Sequence, residues 1–360
     1  MNPTLRLAAV VLTFAAALPT IAQNAVAQDT GFLEEPVEVQ VLSTARSLLG
    51  EITGHSGVSL LRESLWEDDD TARYGLHLDE NWQEVAAAAP DRPLVVLIHG
   101  LNSSAESNAP ILIPVRAAGY SAAVFAYPND WDLTDSATFL SKQLKAFAAA
   151  NPKTSVAIVT HSMGGLVARA CVEDATLDPG NVTRLVMIAP PSQGSLVAHI
   201  GFAADIWEHG IARREGNAWR RLRDSVVDGL GEASGDLVPG SPFLTRLNAR
   251  ERNPKIRYAI FLGTRAAVNQ TELGLLRRLL ASSARSEGLG AYAGSADTLV
   301  AEMEEVVEGK GDGVVAVKRG RLPGVDDVVE MPFDHLTCTG EPGDDETILK
   351  LQSELVARLR

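Results

Sequence analysis

The segment best suited to chemistry is Thr160-His161-Ser162-Met163-Gly164-Gly165. It falls between an apolar run, Ser155 to Thr160, and a helical pattern, Met163 to Ala175. A serine at such a junction sits on a tight turn that lifts its hydroxyl above the sheet, at the start of the following helix. Gly164 and Gly165 are the small residues that let helix and strand pack closely. The pattern is the nucleophile elbow G-x-S-x-G with one departure. Thr160 stands where the first glycine belongs, so the turn must take a branched side chain. A serine hydroxyl is a poor nucleophile until a base removes its proton. Imidazole suits that task because its pKa lies near the working pH. The chain holds seven histidines: His55, His77, His99, His161, His199, His209 and His335.

Rhythm along the chain supplies the elements that must position these groups. Leu94 to Ile98 (LVVLI) is a short continuous apolar run that ends at His99-Gly100, as expected of a strand buried on both faces of a parallel sheet. Ala122 to Tyr127, Ser155 to Thr160, Arg184 to Ala189, Lys255 to Leu262 and Val328 to Phe333 read as five more strands. Asp135 to Ala150 places Phe139, Leu140, Leu144 and Phe147 at helical spacing and stops at Asn151-Pro152. Asp345 to Leu359 is an amphipathic helix with Ile348, Leu351, Leu355 and Leu359 on one stripe. Strands alternating with helices predict an α/β architecture with a mostly parallel central sheet flanked by helices. Two helical stretches, 196–250 and 266–307, break the alternation. Both leave the sheet after the carboxyl end of a strand, where ligands bind in open α/β sheets, so they read as cap insertions.

The elbow, the upstream His99-Gly100-Leu101 and the downstream Asp312-Gly313-Val314-Val315 resemble bacterial lipases and carboxylesterases of the α/β-hydrolase superfamily. The resemblance runs from about Pro93 to the C-terminus. Ala189-Pro190-Pro191-Ser192-Gln193-Gly194-Ser195 and Asp236 to Leu244 are also lipase-like, the latter as a rigid turn that closes the first insertion. The resemblance implies an α/β-hydrolase fold and the chain order serine, acid, histidine. In that order Ser162 is the nucleophile and His335, directly after the last apolar strand, is the base. His55, His77, His99 and His161 precede the serine, and His199 and His209 lie in the first cap insertion. Asp312 matches the lipase acid; Asp326, Asp327 and Asp334 are its rivals. The oxyanion donors implied are the N–H groups of Met163 and Leu101. His99 reads as a residue that bonds its loop, and Asn102, Ser103 and Ser104 as pocket lining or turn caps.

Composition sets outer bounds. The 360 residues are 46% hydrophobic, enough for one large domain with insertions. A formal net charge of −14 repels polyanions and offers no basic groove, which argues against a nucleic-acid partner. Arg6, the apolar run Leu7 to Leu18 and Ala25-Val26-Ala27 form an export signal over 1–27, with Gln28 as the expected mature start. The run is too short for a span, so no transmembrane segment is expected in the mature chain, and the location is periplasmic or extracellular. Residues 28–90 read as an N-terminal extension with an acidic run, Glu67-Asp68-Asp69-Asp70, and residues 91–360 as the hydrolase domain. Cys171 and Cys338 leave both a disulfide and two separate buried thiols open. No cofactor is implied. Asp326-Asp327 and Asp344-Asp345 lack metal-ligand spacing, and the second pair reads as a helix cap. The expected activity is hydrolysis of carboxylic esters, foremost lipid esters, through an acyl-enzyme, with a transient lipid interface. A thioesterase, amidase or acyltransferase would use the same triad. A lipid- or protein-binding module on an inactive hydrolase fold is the non-enzymatic alternative.

Overall fold

The computed structural model describes residues 73–101, 108–128, 131–195, 235–266, 304–307, 309–341, 343 and 345–360. All belong to the unit Leu65–Arg360. The export signal, His55, the acidic run at 67–70, Asn102 to Ser104, His199, His209, Asp344 and most of both insertions (196–234 and 267–303) lie outside the described residues.

Among the described residues seven strands form one sheet in the order β1-β3-β2-β4-β5-β6-β7. They are β1 (Gly75–Leu78), β2 (Leu94–Ile98), β3 (Ala122–Ala126), β4 (Val156–His161), β5 (Val182–Ile188), β6 (Arg257–Gly263) and β7 (Val328–Met331). Only β1 runs antiparallel to its neighbour, β3. The five interior and edge pairings from β3 through β7 are parallel. The sheet thus begins ahead of residue 91, and the sequence reading of six strands becomes seven. The extra strand is a four-residue edge in which Gly75 alone is buried, too short to stand out as an apolar run.

Every residue of β2 and β4 is buried, because helices cover both faces. Leu94, Val96 and Ile98 point into one core with α3 (Leu133–Ala150) and α4 (Gly164–Val172), including Leu140, Leu144, Leu166 and Val167. Val95 and Leu97 point into the other with Val115 of α2 (Ile113–Ala117) and Ile348, Leu351 and Leu355 of α7 (Glu346–Arg358). Two short helices, α1 (Trp82–Ala88) and α6 (Val317–Gly320), precede α2 and α7, respectively, in the chain. Local chemistry sets the helix ends. Asp132 caps α3 by accepting the Asp135 N–H at 2.8 Å. Asp345 caps α7 by accepting the N–H groups of Thr347 and Ile348, and the predicted stripe of α7 is buried.

The end of the first insertion departs from the cap expectation. Ser241 and Pro242 start a helix, α5 (Pro242–Asn248), whose Phe243, Leu244 and Leu247 enter the same core as α4. Asn248 also accepts from the Arg169 guanidinium at 3.0 Å. These residues therefore stabilise the domain interior rather than cover the sheet's carboxyl edge.

The chain enters the parallel sheet near its middle at β2, moves outward to β3, then crosses back to β4 on the other side of β2. This reversal opens a crevice at the carboxyl ends of β2 and β4, the usual place for a ligand in such sheets. Ile98 and Thr160 lie side by side there, and the chain continues into His99-Gly100-Leu101 from one strand and His161-Ser162 from the other.

Candidate active site

Ser162 follows the last residue of β4 and has φ of 51°, a left-handed conformation that costs a non-glycine residue roughly 1–2 kcal/mol. Main-chain bonds hold it there. Its N–H donates to Ile188 O at 2.9 Å, and its C=O accepts from Gly165 N at 2.9 Å. Close packing behind the turn explains the two glycines. A Cβ on Gly164 would lie 2.5 Å from His99 O and 2.7 Å from Ile98 O. A Cβ on Gly165 would lie 3.2 Å from Thr160 Oγ1. The branched Thr160 therefore fits because the residue facing it has no side chain. Gly100 closes the other side, where an added Cβ would come within 2.9 Å of Ser162 Cβ.

His335 Nε2 is 2.9 Å from Ser162 Oγ, and His335 Nδ1 is 2.7 Å from Asp312 Oδ2. All three side chains are buried. The carboxylate can only accept, so Nδ1 carries the proton and Nε2 accepts from the serine hydroxyl. Asp312 Oδ1 also accepts the N–H groups of Val314 at 3.0 Å and Val315 at 2.7 Å. That turn needs Gly313, whose φ is 93°. The acid reaches the sheet over Gly263, the last residue of β6, where a Cβ would lie 2.6 Å from Asp312 Cβ. The strand–serine–helix turn at the crossover, with its hydrogen-bonded partners, decides the architecture. The fold is that of the α/β-hydrolases.

Around this row two of the three rival carboxylates have other tasks. Asp334 accepts the N–H groups of Leu336 and Thr337 and pairs with Arg265 at 3.1 Å, shaping the turn that carries His335. Asp327 takes both arms of the Arg358 guanidinium at 2.8 and 2.7 Å. His77 lies on the edge strand, with Nε2 3.2 Å from Arg73 O. The lipase-like segment after β5 supports the acid's loop: Ser195 Oγ donates to Val314 O at 2.8 Å. It begins at Ala189, the other non-glycine residue with positive φ, at 51°, among the described residues.

Two further histidines frame the crevice. His99 Nδ1 is 2.9 Å from Gly100 O, so Nδ1 is the protonated nitrogen and Nε2 faces the Tyr127 N–H at 3.4 Å. Tyr127 also donates its hydroxyl to His99 O at 2.9 Å and stacks on the ring at 4.4 Å. The bond to Gly100 O fixes a planar trans peptide, and the Leu101 N–H points away from that oxygen. Met163 stands at the N-terminus of α4, where helix N–H groups lack intrahelical partners. His161, whose only signal in the sequence was its place ahead of the serine, sets Nε2 3.1 Å from His335 O. Burial, and next the neighbouring His335, holds its pKa well below 6.5. Among the described residues no group of three or more His, Cys, Asp or Glu could hold a metal ion, and no helix is long and apolar enough to cross a membrane.

A family model described as a domain of unknown function, DUF7379, matches residues 58–207. No curated protein matches the sequence. Among solved structures, the chain is similar to a lipase from Bacillus licheniformis in its mature form, with a TM-score of 0.48 and 18% identity over 73% of this chain and 93% of that one. It is similar to the phospholipase PlaB from Legionella pneumophila, with a TM-score of 0.41 and 16% identity over 63% of this chain and 45% of that one. It is also similar to a monoacylglycerol lipase from Paleococcus ferrophilus, with a TM-score of 0.41 and 15% identity over 74% of this chain and 95% of that one.

Proposed function

We propose that this protein is an exported serine hydrolase that cleaves carboxylic esters, foremost lipid esters, through an acyl-enzyme. One observation carries the reading: the buried row Ser162–His335–Asp312, with contacts of 2.9 and 2.7 Å. Its roles follow from the proton positions. As Ser162 Oγ bonds to the ester carbonyl carbon, its proton passes to His335 Nε2. Asp312 holds the imidazole in the tautomer that can accept that proton and stabilises the imidazolium that results. The N–H groups of Leu101 and Met163 are the donors for the carbonyl oxygen as it gains charge. Collapse of the tetrahedral intermediate breaks the bond to the alkoxide, which leaves as the alcohol with the proton from His335. Water then gives its proton to His335, bonds to the acyl carbon and releases the carboxylic acid, restoring the Ser162 hydroxyl. The lipid preference rests on the lipase-like motifs and on the long segments that follow β5 and β6.

A panel of p-nitrophenyl esters of increasing chain length, run on the wild type and Ser162→Ala, tests this. Loss of the nucleophile from such a triad costs on the order of 10⁶ in turnover. A fluorophosphonate probe is expected to label Ser162 and nothing else. A long-chain optimum supports lipid esters. Unchanged turnover in Ser162→Ala, or folded wild type that neither turns over nor labels, would sink the assignment.

A further inference from the structure

The base is held from its main chain as well as from its ring. The His335 N–H donates to Asp312 O at 3.1 Å. The His335 C=O faces two donors, His161 Nε2 at 3.1 Å and Cys338 Sγ at 3.4 Å. A thiol is a weak donor, so His161 supplies the stronger bond. A carbonyl only accepts, so this contact requires the Nε2–H tautomer of His161, with a lone pair on Nδ1. That Nδ1 is buried and has no hydrogen-bond partner among the described residues. It faces the oxyanion loop instead, 3.3 Å from where a Cβ on Gly100 would sit. The His161 and His335 rings lie 4.8 Å apart. One imidazole thus fills the space between the strand that carries the nucleophile, the loop that carries the base and the glycine beside the nucleophile.

We propose that His161 is a positioning residue, which sets the distance between Ser162 and His335 by tying the main chain of the base to the end of the strand that leads into the nucleophile. The adjacent pair His161-Ser162 then holds both ends of the base: the first grips its carbonyl, the second its Nε2. Leaving Nδ1 without a partner is a cost that packing alone would avoid, since an apolar side chain would fill the same space without it. The Nε2–H bond to the base is what an apolar residue could not supply. This inference rests on the triad reading.

The test compares two side chains of similar length, His161→Gln, whose amide can still donate to His335 O, and His161→Met, which cannot. His161→Phe adds a donor-free ring. Steady-state kinetics on a p-nitrophenyl ester are measured beside melting temperature. The expected result is a kcat about 10- to 100-fold lower in the Met and Phe variants with KM within twofold, and most of the kcat restored in Gln; displacement of a catalytic group by about 1 Å can cost that much. Histidine side-chain ¹H–¹⁵N NMR on the wild type gives a readout that needs no turnover, and the Nε2–H tautomer of His161 is expected at neutral pH. The proposal is overturned if folded Met or Phe variants keep wild-type kcat, if Gln falls as far as Met, or if His161 carries its proton on Nδ1. It is equally overturned if both donor-free variants fail to fold while Gln keeps full kcat and only melting temperature follows the bond. A wild type without esterase activity but with the expected tautomer would sink the ester reading and leave the hydrogen bond standing.

Discussion

At the scale of single residues, the buried His161 leaves a signature in stability. Its folded pKa is lowered, mainly by burial and then by His335, whereas in the unfolded chain it titrates near the ordinary 6.5. Below that pH the unfolded chain binds a proton that the folded one refuses, so stability falls as pH falls; above it both states are neutral and the residue contributes no slope. The slope is at most about 1.4 kcal/mol per pH unit for one proton. Chemical denaturation between pH 7 and pH 5 is expected to show a shallower loss in His161→Gln than in the wild type, and an equal or steeper loss would contradict the assignment. The hydrogen-bonded row Ser162–His335–Asp312 brings together residues that each have a local signature in the sequence: a strand–serine–helix junction, a glycine-rich turn, and a histidine just after the last strand. His161 and Tyr127 have none. Their partners lie 174 and 28 residues away in the chain, and no spacing rule reaches that far.

At the scale of elements, β2, β3, β4 and α7 were legible from unbroken apolar runs or an i, i+3, i+4 stripe. The edge strand β1 and the core helix α5 were missed for opposite reasons. A strand exposed on one side has little apolar signal, and a seven-residue helix inside a long helical pattern gives no hint of which surface it covers. Polar contacts hold α5 beside its three buried apolar residues. Arg169 and Glu173 of α4 and its C-cap form a fully buried pair at 3.1 Å, which Asn248 and Arg252 extend at 3.0 and 3.2 Å. Burial raises the Glu173 pKa even against those cations. Removing one partner of a buried pair is far costlier than never having had it, typically 3–5 kcal/mol, because the other charge stays behind. Arg169→Met is therefore expected to lower unfolding free energy by about 3 kcal/mol in a urea titration. A change below about 0.5 kcal/mol would mean the pair is not what anchors α5.

At the scale of the whole molecule, the crossover between β2 and β4 brings residues from opposite ends of the chain into one crevice. Ser162 comes from the middle of the sequence and His335 from near its end, while Gly100 arrives from the strand that begins the parallel sheet. The two faces of that sheet also separate the cysteines: Cys171 of α4 lies on one side, Cys338 of the His335 loop packs with α7 on the other, and both are free thiols. Burial pushes the Cys171 thiol up to about 12 and that of Cys338 well above 9. Both therefore stay silent toward thiol reagents while the fold is closed, and both react in denaturant. Each reports on a different half of the protein. Alkylation at Cys338 times the opening of the segment that carries His335, and alkylation at Cys171 times the loosening of the opposite layer. If the segment that carries His335 breathes on its own, mass-resolved alkylation under native conditions marks position 338 long before 171; equal marking would mean that the two layers open only together. The chain thus carries a built-in pair of stopwatches, one for the layer that holds His335 and one for the layer opposite.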